Sequence, residues 1–188
     1  MTNTVTVELM RRYLEQFGWH RYEVVDEPYE QEGLLRTGWR SNPVDEGHTL
    51  VIDPMIERGC LSFYVPKVLS VPIDSIPENR FRDLMLSIAF MNYTIILGKF
   101  GYDPSDGEVR FTVSMPIDEN TLTYAQFVHS LGVVIKTVEN HAYLLDAVRH
   151  GELDFQGFVN KITEEPRRQM REALEKLLED LRRALGED

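Results

Sequence analysis

The sequence predicts an α+β fold in which a twisted antiparallel sheet carries helices packed on one face. Helix and strand signals occur in runs rather than alternating one for one, which disfavours a doubly wound parallel sheet. The strand segments alternate apolar and polar residues with a period of two, as half-buried strands do. The predicted order of elements is α-β-β-β-α-β-β-α. We expect one domain over residues 1–151 and a helical C-terminal extension over residues 152–188.

The helices of the domain are predicted from apolar residues that recur at steps of three and four. A first helix is expected over residues 4–17. A second, over residues 77–93, is apolar around much of its girth and should be the most buried. Thr123 and Gln126 have the spacing of a capping box, so a long helix should begin there and end near Arg149.

The extension after residue 151 is predicted to be helical as well. Residues 154–163 suggest a short helix, and residues 166–185 suggest a last one that is dense in charge. Met170 and the leucines of this last segment form a narrow apolar stripe. We expect the stripe to pack either on the domain or on a second subunit.

The strands are predicted from their alternation and from the turn residues between them. A short strand is expected at residues 22–25, and three extended segments follow at 33–40, 48–52 and 60–65. Prolines are expected to make residues 66–77 a loop.

The clearest local signal is a hairpin whose strands are expected over residues 94–102 and 108–115. Apolar and polar residues alternate strictly in its second strand. Pro104 presets a turn dihedral angle, and Gly107 can adopt the positive φ that a bulged hairpin needs.

The charge of the chain limits its partners. The net charge is −11 and the pI is near 4.9, whereas phosphate binding needs clustered lysine and arginine, so nucleic acid is not an expected partner. The charge also argues against docking on an anionic membrane. It fits a surface that keeps the protein dispersed, or an acidic face that meets a basic partner.

The compartment is expected to be the cytoplasm. No apolar run reaches the length that spans a bilayer, and the first residues lack the pattern of a signal peptide. Cys60 is the single cysteine, so no disulfide can form within the chain, and a buried inert thiol is expected there.

The sequence contains no recognisable catalytic, cofactor or metal motif. The five histidines lack zinc-ligand spacing, and the nucleophile-elbow, phosphate-loop and dinucleotide patterns are missing. An enzyme would need an unfamiliar site, for example around His48 and Asp53. Asp106 and Glu108 could hold calcium weakly, although a turn aspartate and an exposed strand glutamate explain them as well. We therefore predict no catalytic residue, no cofactor and no metal.

Three apolar residues on predicted strands are candidates for a protein-binding patch: Trp39, Phe63 and Val65. If helices do not cover them fully, they would form part of an exposed apolar patch on the sheet, which is typical of partner sites. The alternative is that they pack beneath the helices.

Three segments resemble the YbjN-like family of bacterial proteins: TIILGKFGYD at residues 94–103, DGEVRF at 106–111 and LTYAQF at 122–127. Members of this family are often labelled sensory-transduction regulators. The resemblance spans residues 4–151. It implies the fold of type III secretion chaperones, a twisted antiparallel sheet with helices on one face that is commonly dimeric. The family pattern has no catalytic residues to transfer.

The sequence thus favours a cytoplasmic, non-catalytic protein-binding module, chaperone-like or regulatory, acting as a homodimer. Its protein partner would lie against the sheet or a dimer groove. The alternative is a small-molecule sensor whose ligand lies between the sheet and the helix predicted over residues 77–93.

Overall fold

A computed structural model describes residues 5–26, 32–40, 47–117, 122–164, 170–171 and 174. The strands form one six-stranded antiparallel sheet in the order β1-β2-β3-β4-β6-β5. The helices are α1 Val7–Phe17, α2 Glu78–Thr94, α3 Tyr124–His150 and α4 Phe155–Thr163; the strands are β1 Tyr22–Val25, β2 Leu34–Trp39, β3 His48–Met55, β4 Cys60–Ser70, β5 Lys99–Asp103 and β6 Glu108–Pro116.

The α+β class and the antiparallel sheet are confirmed, and the helices pack on one face of the sheet. Alternate residues of the two central strands, β4 and β6, point to this face, and Phe63 of β4 meets Phe127 of α3 with ring centroids 5.4 Å apart. The buried residues of this layer are Leu61, Phe63, Val65, Val109, Phe111 and Val113. The opposite face carries polar side chains such as Ser62, which is buried, and Thr112, which is half-buried.

The other helices pack around α3. Tyr13 of α1 donates a hydrogen bond to Leu122 O (2.8 Å) and its ring contacts that of Phe127. Helix α2 packs against β5 and α3, and α4 packs against α2, where the rings of Phe90 and Phe155 meet. The sheet is thereby covered by a layer of helices that share one hydrophobic core.

The predicted capping box at the start of α3 is present. The Thr123 side chain accepts from the Gln126 backbone N–H at 3.2 Å, and the Gln126 side chain accepts from the Thr123 backbone N–H at 2.9 Å. These two bonds satisfy backbone donors that the first helical turn cannot pair internally. Gly151 ends the helix in a left-handed conformation.

The hairpin of β5 and β6 is locked to the end of β4 at Gly107. This residue has φ +77°, and a Cβ there would collide with the backbone of Val71 and Pro72. Gly107 O accepts a 2.7 Å hydrogen bond from Val71 N. Tyr102 donates its hydroxyl to Val71 O (2.9 Å), and burial raises the pKa of Tyr102 so that it stays a donor.

The structure differs from the sequence prediction in three elements. The sheet has four strands between α1 and α2, whereas the predicted order counted three; the short strand β1 is a full member because it pairs with β2. β4 runs on through Pro66 to Ser70, where a loop was expected. The first hairpin strand begins at Lys99 rather than at residue 94, because Thr94 ends α2 and residues 95–98 form the bend between the helix and β5, with Gly98 at φ +93°.

The helix predicted over residues 166–185 lies largely outside the described residues. Met170, Arg171 and Leu174 are helical, and the side chains of Met170 and Leu174 are exposed. The predicted division into a domain of residues 1–151 and an extension of residues 152–188 stays a prediction.

Candidate protein-binding cleft

The sheet opens between β3 and β4. The two strands pair from Met55 opposite Cys60 to Val51 opposite Tyr64, and their ladder ends there. The rest of β4, through Pro66 to Ser70, follows β6 alone, after a bulge in which three residues face one residue of β6. A proline inside a strand is compatible with such a bulge because proline has no N–H to donate to a ladder.

The bulge is held by a buried carboxylate. Glu108 accepts a hydrogen bond from the backbone N–H of Lys67 (2.9 Å), and its other oxygen lies 2.6 Å from Arg110 Nη2. The hydrogen bond to Glu108 raises the pKa of Arg110, whose guanidinium also stacks 5.0 Å from the Tyr64 ring centroid. Lys67 is kept at φ +48°, a left-handed conformation that side-chain-bearing residues adopt at a cost.

A cleft of about 730 Å³ lies where the strands separate. The second half of β4, the start of β3 and the C-terminal half of α3 surround it. Its apolar part consists of Val68, Leu69, Val138 and Ala142. Its charged and polar part consists of His48, Lys67, Ser70, Glu139, Tyr143, Asp146 and Arg149. Among the described residues, polar and charged side chains outnumber apolar ones in this lining, so the cleft is more polar than the usual small-molecule pocket.

A second cleft, of about 620 Å³, meets the first at Gly47 and His48. It lies at the end of the β2–β3 hairpin and is lined by Arg21, Gly38, Trp39, Arg40 and Thr49 besides the two shared residues. Trp39 Nε1 donates a 3.1 Å hydrogen bond to Glu139 Oε1 of α3, and the rings of Trp39 and His48 lie 5.1 Å apart. This hydrogen bond connects the β2–β3 hairpin to α3. We refer to the two adjoining clefts together as the β3–β4 cleft.

Among the described residues, the rim of the β3–β4 cleft carries more basic than acidic side chains. Arg149 Nη2 forms an ion pair with Asp146 Oδ1 at 2.6 Å, so these two charges offset each other. Arg21, Arg40 and Lys67 are exposed around the rim. The cleft is therefore a local exception on a chain whose net charge is −11.

The three predicted binding residues occupy different places. Phe63 and Val65 are fully buried beneath the helices, in agreement with the packing alternative, and neither forms part of an exposed patch. Trp39 is half-buried and lines the second cleft. A partner-binding role for Trp39 stays a prediction.

The residues that line the first cleft were missed at the sequence level. Lys67, Ser70 and Tyr143 carry no motif, and residues 66–77 were expected to form a loop. The available signal was Pro66 directly after an alternating strand, since a proline at such a place marks a bulge or an open edge.

The two residues considered for an enzyme active site do not point to a common site. His48 and Asp53 lie on the same strand an odd number of residues apart, so their side chains point to opposite faces of the sheet. Asp106 Oδ1 accepts from Glu108 N (2.9 Å), as expected for a turn aspartate. The expectation of an exposed glutamate is wrong, because Glu108 is buried and bonds to Lys67 and Arg110. The described part of the chain contains no group of three or more potential metal ligands.

Several side chains of α2 and β5 pack together at the place proposed for a small ligand. Leu84 and Met91 of α2 and Phe100 of β5 are buried in the same core, and the rings of Phe81 and Tyr102 are in contact. A small ligand between the sheet and this helix stays a prediction.

A second exposed feature lies beside the edge strand β5. Tyr93, near the end of α2, is 88% exposed, and Ile96, in the connection to β5, is fully exposed. Among the described residues, β5 is the last strand of the sheet, so one of its sides has no neighbouring strand. Asn92 of α2 covers part of this side, since its side chain donates to Phe100 O and accepts from Phe100 N at 2.8 Å each. Large apolar side chains next to an open strand edge form a surface suited to association.

Among solved structures, the chain is similar to a chain in a crystal structure of the ExsC–ExsE complex. The TM-score is 0.50 at 21% sequence identity, and the match covers 75% of this chain and 97% of that chain. At this identity the likeness shows the fold alone, and it supports the type III secretion chaperone-like fold that the resemblance implied.

No known family profile matches the chain, and no curated protein matches its sequence. Within the described residues, no helix combines the length and apolar character that crossing a membrane requires.

Proposed function

We propose that this protein is a non-catalytic protein-binding module of the cytoplasm, a chaperone-like or regulatory adaptor related to the YbjN-like family. The observation that carries the proposal is the β3–β4 cleft. It combines backbone of a strand, an apolar floor and charged side chains in one open groove. Such grooves bind extended protein segments, because strand backbone provides affinity and the adjoining pockets select side chains.

The fold is consistent with this function. The similar structure is that of a complex, in which ExsC is crystallised with ExsE. The same sheet with helices on one face therefore occurs in a protein that binds another protein.

The binding proposal is tested by capture from native lysate with the tagged, full-length protein, followed by crosslinking. The variant Ala142→Trp should fill the floor of the first cleft and abolish capture of the specific partner. Ala125→Trp is the matched control, since Ala125 is exposed on the same helix, roughly 25 Å away at 1.5 Å per residue. Equal capture by both variants, or no specific partner for the wild type, would contradict the proposal.

The homodimer is the second part of the proposal. Tyr93, Ile96 and the part of the β5 edge that Asn92 leaves uncovered would meet the same surface of a second copy, which is the self-complementary contact that a twofold dimer requires. Light scattering should give twice the chain mass for the wild type and the chain mass for Ile96→Asp. Ile73→Asp, at another exposed isoleucine, should remain dimeric. A monomeric wild type would refute the dimer.

A further inference from the structure

The β3–β4 cleft carries an inference about its occupant, and this inference rests on the proposed function. We propose that the cleft takes an acidic, extended segment of the protein partner, which adds as a strand alongside residues 68–70 of β4. Backbone direction, charge and the form of the cleft floor support it independently.

The first argument is the direction of the β4 backbone. Val71 N donates to Gly107 O at 2.7 Å, so Val71 turns its backbone groups toward the hairpin. In an antiparallel strand successive residues turn their N–H and C=O to opposite sides. Ser70 therefore turns its N–H and C=O away from β6, toward the cleft that it lines. These groups are those to which an added strand bonds.

The length of the pairing is limited by the bulge. The N–H of Lys67 is already donated to Glu108, and Pro66 has no N–H. An added strand can therefore lie only along Val68 to Ser70, and Leu69, which turns its backbone groups toward β6, gives it no hydrogen bond. So short a contact forms few backbone hydrogen bonds with the added segment. Side-chain contacts must therefore supply much of the affinity.

The second argument is charge. The exposed cations Arg21, Arg40 and Lys67 surround the cleft, whereas Asp146 is engaged with Arg149 and Glu139 accepts the bond from Trp39. A basic rim on a chain of net charge −11 attracts an acidic segment and disfavours a basic one, because like charges in a cleft repel strongly.

The third argument is the apolar floor. Val68, Val138 and Ala142 line the base of the first cleft, between the strand and α3. A strand that enters the cleft directs alternate side chains to opposite sides. Alternating apolar and acidic residues therefore place apolar side chains on this floor and carboxylates toward the rim.

The test measures fluorescence anisotropy of a labelled peptide of alternating valine and aspartate with the full-length protein. A valine–lysine peptide of the same length is the charge control. We expect the aspartate peptide to bind, more weakly at high salt, and the lysine peptide not to bind. Lys67→Gln should weaken binding about two- to fivefold, in the range of an exposed charge pair. Lys99→Gln, at an exposed lysine on β5, should not.

A matched pair of variants tests the strand addition itself. Ser70→Pro removes the N–H that faces the cleft and should weaken binding about three- to tenfold, as the loss of one hydrogen bond does. Ser70→Ala keeps the N–H and should bind like the wild type. Circular dichroism confirms that each variant is folded; if Ser70→Pro is not, Ala142→Trp, which fills the floor, must abolish peptide binding instead.

Four results would overturn this inference. Equal binding of both peptides excludes charge selection, and unchanged binding by folded Ser70→Pro excludes strand addition. Binding that appears only after Asp45→Asn and Glu46→Gln assigns the cleft to the chain's own acidic segment. If light scattering shows that Ala142→Trp changes the mass of the protein in solution, the cleft is occupied by a second copy of the chain. If Ala142→Trp still captures a specific partner, the proposed function fails as well. If Ala142→Trp loses capture but the wild-type protein binds neither peptide, only this inference fails.

Discussion

The two halves of β4 differ although they belong to one strand. From Cys60 to Tyr64 the strand has a neighbour on both sides, β3 and β6, and the apolar side chains of Leu61, Phe63 and Val65 are buried beneath the helices. From Pro66 to Ser70 it pairs with β6 alone, contains a bulge with a left-handed lysine, and borders an open cleft. The first half contributes to the core, and the second half exposes strand backbone that a partner can use.

The difference shows how a stable sheet can leave a short stretch of an inner strand unpaired on one side. Free strand edges invite uncontrolled association. Here the open stretch is short and lies between charged side chains, and Glu108 and Gly107 anchor it to the neighbouring hairpin. If the proposed binding role is correct, stability and binding rest on different residues of the same strand, and single substitutions can separate them.

The largest effect is expected in the closed half. Phe63→Ala removes a fully buried ring that contacts Phe127 and leaves a cavity, so the free energy of unfolding should fall by about 3–5 kcal/mol. Urea unfolding followed by circular dichroism measures it. Tyr143→Ala, at the cleft, is 62% exposed in the wild type and should change stability by less than about 0.5 kcal/mol. Similar losses in both variants would show that the two regions are not separate.

The next effect concerns the anchor of the open half. Glu108→Ala leaves the Lys67 N–H and the Arg110 guanidinium without their acceptor, and unfolding should become easier by about 1–3 kcal/mol. Glu108→Gln keeps an acceptor oxygen and should lose less. A Gln variant as unstable as the Ala variant would mean that the charge rather than the hydrogen bond holds the bulge.

A smaller effect is expected at the bulge itself. Lys67→Gly should raise the free energy of unfolding by up to about 1 kcal/mol, because glycine adopts φ +48° without the steric cost of a side chain. The greater conformational entropy of glycine in the unfolded state offsets part of this gain. Ser70→Gly, in regular strand, should lower it by about 0.5–1 kcal/mol. Thermal unfolding of the two variants provides the comparison, and a destabilised Lys67→Gly would contradict the strain.

The smallest effect is expected at the hairpin turn that supports the open half. Hydrogen bonds from the side chain and backbone of Ser105 lower the pKa of Asp103. Because the pKa of Asp103 is lower in the folded than in the unfolded state, Asp103 stabilises the fold at pH values above its unfolded-state pKa. This contribution is lost as the pH falls through the folded-state pKa. Ser105→Ala should raise the pKa of Asp103 and weaken the acid dependence. Titration by NMR measures the shift, and an unmoved pKa would contradict its assigned cause.

Much of the helical layer and the hairpin could be predicted from local sequence. The capping box of Thr123 and Gln126, the glycine at residue 151 and the turn at Gly107 rest on bonds and dihedral angles within a few residues. The position of β5 and the continuation of β4 could not be predicted this way. Whether Pro66 ends a strand or sits in a bulge depends on the partner strand, and Glu108, which holds the bulge, is distant in sequence.

By itself the sequence determined the fold class, the helix ends and the alternation that covers one face of the sheet, because periodicity and capping act between near neighbours. Only the tertiary structure decided which of the three suggested residues stays accessible. Phe63 and Val65 lie beneath α3, whereas Trp39 borders the cleft. It also decided where β3 and β4 separate, because strand pairing joins segments whose meeting depends on the packing of the whole sheet.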